Sequence, residues 1–214
     1  WLEQLANEFP KDPNAAEARL KTGDLQFNVE KFDVAQKSYE KFLGDFPTHK
    51  KVDDAYFQLG NVLAAQEKWE AATKRFHAVG ENSEWRTKAL YQSAWCERKA
   101  GRAADAQKNY ETLIANHSES LEAANAKLEL AELEYEAAKY KDAIGRLEKL
   151  IETDPDRRRL ALAQFRLAHC HRRLKDWEKA GEAFQTFLTK NPRHELTRKV
   201  RLGLGRVQIE QGED

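Results

Sequence analysis

A chain of 214 residues with 36 Lys/Arg, 36 Asp/Glu and no formal net charge lacks the field that grips phosphate backbones, which argues against nucleic acid as its partner. Five Trp and ten Phe within a 41% hydrophobic composition exclude an intrinsically disordered tail, and no apolar run approaches the roughly 18 residues of a membrane span. Ten Gly and five Pro beside abundant Ala, Leu, Glu, Lys and Arg favour helix over sheet.

The chain opens on Trp and contains no Met, as expected of a mature or excised segment of something larger. Leu2, Leu5 and Phe9-Pro10 fit the end of a helix whose partner lies upstream. The first complete unit then spans 16–52 and contains "KFDVAQKSYEKFLGDFP", residues 31–47. Phe32, Ala35, Tyr39 and Phe42 fall on one stripe of an α-helix. The same stripe returns as Trp69, Ala72, Phe76 and Val79 in unit 53–86. It returns again around Ala106 in 87–123, around Ala143 in 124–160, and as Trp177, Ala180, Phe184 and Phe187 in 161–197. Residues 198–214 open a sixth unit at Leu204-Gly205.

The anchor alanines step by 37, 34, 37 and 37 residues, a period that marks stacked repeats. Twelve residues before each stands another small residue: Gly23, Gly60, Ala94, Ala131 and Ala168. Each unit is therefore expected to be two antiparallel helices, closely approached at these small residues. Asp154-Pro155 and Asn191-Pro192 read as an N-cap followed by Pro at the first helical position.

This spacing, clearest in "YFQLGNVLAAQEKWEAATKRF" (56–76), resembles the tetratricopeptide repeat over the whole chain. The resemblance implies an all-α, right-handed superhelical solenoid of antiparallel helix pairs with an extended concave surface. Four units run three residues longer than the 34-residue pattern, which is expected to add about one turn to their first helices. The longer form is similar to bacterial cell-envelope members of the family, such as the periplasmic partner of the Tol-Pal system and the outer-membrane assembly lipoproteins. That likeness implies a periplasmic or envelope location, with the cytoplasm as the alternative.

Carried over from the family, the inner face of the first helices holds Asp24, Phe27 and Asn28, then Phe57 and Asn61. Tyr91, Trp95 and Arg98 follow, then Glu132 and Tyr135. Phe165, His169, Arg172 and Arg173 continue it, and Lys199, Leu202 and Arg206 close it. Other residues already supply the buried stripe, so these aromatics are available as rigid anchors, beside Arg and Asn as donors to peptide groups and carboxylates. The alternative is that some of them pack between adjacent first helices. Asn61 resembles the Asn of the carboxylate clamp that some members use, but the matching Lys places are not filled in order.

Charge is uneven along the chain. Residues 156–214 hold 14 Lys/Arg against 8 Asp/Glu, whereas residues 1–60 hold 8 against 11. The C-terminal part therefore suits an acidic partner or a C-terminal carboxylate. Arg157-Arg158-Arg159 opposes the dipole of a helix start, which sets a binding role against a merely solvated face.

No phosphate loop, nucleophile elbow or catalytic Cys/His pair is present, so no enzyme, small-molecule substrate or cofactor is expected. His169 and His171 point about 200° apart on a helix and cannot share an ion. Cys96 and Cys170 fall at matching places two units apart, too far for a disulfide. The function implied is a scaffold or adaptor that binds a protein or peptide in the concave groove. The alternative is a regulatory or substrate-presenting segment of a larger enzyme or secretion machine. Apolar side chains at the open ends, Leu2 and Leu5 or Leu202 and Ile209, offer a route to self-association.

Overall fold

The computed structural model describes residues 13–212, which form eleven α-helices and no strand. The expectations placed on Leu2, Leu5 and Phe9-Pro10 lie outside the described residues. The chain divides between His117 and Ser118 into two compact units. Unit 1 contains α1 (Pro13–Asn28), α2 (Phe32–Asp45), α3 (Val52–Ala65), α4 (Trp69–His77), α5 (Arg86–Lys99) and α6 (Ala103–Asn116). Unit 2 contains α7 (Leu121–Glu136), α8 (Tyr140–Thr153), α9 (Arg157–Arg173), α10 (Trp177–Lys190) and α11 (Thr197–Gln211). Within each unit every helix packs on its neighbours in sequence, and odd-numbered helices also meet one another: α1 with α3, and α9 with both α7 and α11. This is the all-α repeat solenoid, built of helix pairs.

The periodic stripe is the core. Ala35, Tyr39 and Phe42, and their counterparts Ala180, Phe184 and Phe187, are essentially inaccessible. The small residue twelve places earlier admits the large side chain four after the alanine, rather than the alanine itself. A Cβ added at Gly23 would lie 2.6 Å from the Tyr39 ring, and one at Gly60 would lie 2.5 Å from that of Phe76. In unit 2 the same two places hold Ala131 and Leu147, which share one core cluster.

Each pair turns through one left-handed residue, five before the anchor alanine: Glu30, Glu67, Gly101, Ala138 and Lys175. The next backbone N–H closes the turn on the carbonyl five residues back, as from Lys31 to Gln26 (2.8 Å) and from Lys139 to Glu134 (2.8 Å). Only one of the five is Gly, so the other four carry the steric cost of a Cβ at positive φ.

The longer period is absorbed in two ways. The first helices α7 and α9 reach 16 and 17 residues, against 14 in α3 and α5. In 46–51 and 191–196 the residues instead form a turn around a His. His49 Nδ1 accepts from the Lys51 N–H (3.2 Å) with its ring edge-on to Phe42, and His194 accepts from Leu196 (3.1 Å) beside Phe187. The expected caps shift accordingly. Asp154 and Asn191 are C-caps of α8 and α10, and Asp156 caps α9 by accepting from Arg158 and Arg159 N–H groups. Pro192 lies in the turn rather than at a helix start, because the His-anchored turn delays α11 until Thr197.

Two outcomes test these contacts by chemical unfolding. Gly60→Ala lowers stability by about 1–3 kcal/mol through overpacking against Phe76, and adding Phe76→Leu recovers part of the loss; no recovery would place the strain elsewhere. Ala138→Gly raises stability by about 0.5–1 kcal/mol, the relief of the left-handed Cβ less the added freedom of the unfolded chain. An unchanged or lower midpoint would show that the turn carries no such cost.

Candidate functional site

In unit 1 the face of α1, α3 and α5 has an acidic part and an aromatic part. Tyr39 Oη donates to Asp24 Oδ1 (2.5 Å). Burial first, then the Asp24 carboxylate, pushes the Tyr39 phenol well above its usual value. Gln58 donates to Asp54 (3.4 Å) and Asn61 to Gln58 (3.2 Å), a short ladder along α3. Burial raises the Asp54 carboxyl above the usual carboxylate range, with Asp24 and Glu84 adding to the effect.

Asn28 is exposed, and Phe27 is half-buried against Phe32 with ring centroids 5.6 Å apart. Phe57 is no surface anchor. It is 7% exposed and stacks on Trp85 at 4.8 Å, because the ring points under α3 into the core rather than along its outer edge. Tyr91 is half-buried beside Tyr110 (5.7 Å) and Arg98 is half-buried on the same helix. Trp95 does double duty. Its ring meets Trp69 edge-on at 5.5 Å and packs against the core, while Lys99 covers it at 5.3 Å.

In unit 2 the face of α7, α9 and α11 is cationic. Glu132 pairs with Arg166, whose Nε donates to Oε1 at 2.6 Å, and the guanidinium lies over the Tyr135 ring at 4.3 Å. Beside them His169 stands between Phe165 (4.5 Å) and Phe184 (5.3 Å). Burial, with Arg172, Arg166 and Arg206 around it, pulls its pKa down to about 4, so the ring is neutral at physiological pH. Arg206 and Lys199 are exposed on α11, as is Leu202 at 60%. Arg173 turns aside to donate to Tyr140 Oη (2.9 Å).

The structure thus brings Glu132, Tyr135, Phe165, His169, Arg172 and Arg206 together in unit 2, with Arg166 between them. Arg166 was not singled out from the sequence. Its signal was an acid and a base 34 residues apart at Glu132 and Arg166, close enough to one period to sit side by side on successive first helices.

Clefts also open on the second-helix side. One of about 280 Å³ lies over α9 between α8 and α10, floored by His171 and Gln164. Another of about 520 Å³ in unit 1 is lined by Glu97, Arg102 and Asn109. Both mix acids with bases and favour neither sign. Burial raises the thiols of Cys96 and Cys170 to about 12, which suits core filling rather than reactivity. Among the described residues no three His, Cys, Asp or Glu side chains converge as metal ligands, and no helix is long and apolar enough to cross a membrane.

Two family models match the chain, a tetratricopeptide repeat-like domain over residues 74–180 and a tetratricopeptide repeat over 20–73. No curated protein matches it at a significant level. Among solved structures, it is similar to YrrB, described as a TPR protein with an unusual peptide-binding site, at a TM-score of 0.66 and 17% identity, covering 94% of this chain and 97% of that one. A tetratricopeptide repeat protein of Parabacteroides merdae superposes at 0.76 with 16% identity over 92% of this chain and 74% of its own. Pseudomonas aeruginosa PilF gives 0.65 and 16% over 98% and 90%. At these identities the likeness is one of fold.

Arg159 leaves the basic run at the start of α9 for a structural role. Its Nε donates to Asp154 Oδ2 (2.6 Å) and a second nitrogen to Asn125 (3.2 Å), with both charged partners largely buried. The Arg159 hydrogen bond holds the Asp154 carboxyl below the usual carboxylate range. Because that value is depressed in the fold, the stabilisation is present above pH about 4 and is lost as pH falls through the folded value. Arg159→Gln is expected to lower stability by about 1–3 kcal/mol at pH 7, with the gap to the parent narrowing below pH about 4. Urea titrations at both pH values check this, and an equal gap at the two would remove the ion pair as its source.

Proposed function

We propose that this chain, which belongs to the tetratricopeptide-repeat family, is a non-catalytic scaffold that holds a peptide or protein segment on its first-helix faces. The observation that carries the reading is the composition of those faces. Half-buried aromatics (Tyr91 and Trp95 in unit 1, Tyr135 and Phe165 in unit 2) are held rigid from below by core contacts; Arg98 and Arg172 stand on the same helices as three of them, and Asn61 and Arg206 on the first helices α3 and α11. Rigid rings with adjacent donors lose little entropy on binding and can satisfy an extended or helical segment. The balanced clefts on the second-helix side offer no comparable anchor. YrrB, with its peptide-binding site, adds support by likeness of fold.

Photo-crosslinking locates the partner. A crosslinking amino acid at Asn28, Asn61 or Leu202 is expected to capture the same cellular partner, whereas one at Lys108 or Glu182 on the second-helix side is not. Capture confined to the second-helix positions would move the function to the other surface. Tyr91→Ala, checked for retained helicity by circular dichroism, is expected to weaken that capture about tenfold or more, the loss of one aromatic anchor.

A further inference from the structure

We infer that the first-helix face of unit 2 docks an acidic segment of a polypeptide, whose side-chain carboxylates are taken by Arg172 and Arg206 near His169. The inference rests on the scaffold reading above and names the chemistry of one of its two faces.

The face carries its own example of the ligand. The Glu132 carboxylate already occupies Arg166, held by two nitrogens over the Tyr135 ring. Arg172 and Arg206 are also close enough to act on His169, yet neither has a carboxylate of its own among the described residues. Arg172 Nε is buried without a hydrogen-bond partner. A buried guanidinium nitrogen left unpaired is costly, and a carboxylate is the partner its planar fork fits. Three guanidinium groups around one carboxylate and one neutral imidazole leave this part of the face two charges positive. An incoming carboxylate pair cancels that excess in a place already shielded by Phe165 and Phe184.

The second feature is apolar. Leu202, 60% exposed on α11, stands one period after Phe165, so adjacent first helices present a Leu and a Phe along the same line. The matching segment therefore has acidic side chains flanking a large apolar one. Unit 1 supplies the contrast: its corresponding face holds Asp24, Asp54 and Glu84 near one another, and an acidic segment is repelled there.

The test uses the whole chain and a short acetylated, amidated peptide with Glu on both sides of a central Leu, followed by fluorescence anisotropy at low salt. Binding is expected to weaken by about tenfold or more when Gln replaces every Glu, or when Arg172→Glu or Arg206→Glu is introduced. Arg206 is exposed, so Arg206→Gln serves as a variant with no folding cost. In NMR spectra of the parent at neutral pH, the His169 ring signals are expected to shift when the peptide binds, as carboxylates reach the cations around the ring. Equal binding of the Gln peptide, insensitivity to both Arg206 variants, or unmoved His169 signals overturns the inference. So does a requirement for a free C-terminal carboxylate, or equally tight capture of an oligothymidine, which would make the face a terminal-carboxylate or general anion site. If the peptide fails while partner crosslinks at Asn28 and Asn61 persist, only the acidic chemistry falls and the scaffold reading stands.

Discussion

One contact recurs in the helix pairs of both units and sets the rest: a large side chain on the second helix is pressed into the place of a small residue on the first. Tyr39 over Gly23 and Phe76 over Gly60 leave no room for a Cβ, so the two backbones can take one depth and one rotation only. With that rotation fixed, one side of each first helix faces its partner and another is left to face outward. Van der Waals contact at such short range cannot be adjusted by small shifts, because interiors pack at crystal density. The left-handed turn residue, five places before each anchor alanine, then returns the chain at the angle this contact needs.

The outward faces inherit a compromise. Trp95 rests on Trp69, Tyr135 on Tyr140, and Phe165 reaches Phe187, so each presents to the surface only the part the core does not claim. The aromatics therefore pack beneath the surface and still present an edge to it. Phe57 marks the limit, having passed wholly into the core against Trp85. Rigid half-exposed rings cost little to order on binding, which is what distinguishes these faces from the clefts behind them.

Charge separates the two units. Unit 1 brings carboxylates near each other and raises the Asp54 carboxyl, while unit 2 gathers guanidinium groups and strips the charge from His169. The same cause acts with opposite sign: burial and like-charged neighbours each disfavour ionisation of the group between them.

How much could be read in advance divides along a physical line. The 37-residue period, the anchor alanines and the buried stripe were legible because helical spacing depends only on local geometry and on which side chains avoid water. Family and fold class followed from that pattern. The four non-Gly turn residues at positive φ, the His49 and His194 turns, and the displaced caps at Asp154 and Asn191 were not legible. Each is a local preference overruled by packing at a distance. The same holds for the site: first-helix positions could be named, but whether Phe57 lay inside or Arg166 joined Glu132 depended on how successive helices stack. The sequence by itself determined the repeat and the helices that compose it, since these arise from neighbours in the chain. Which side chains share a face, and with what charge around them, only the tertiary structure decided, because those contacts join residues a full repeat apart.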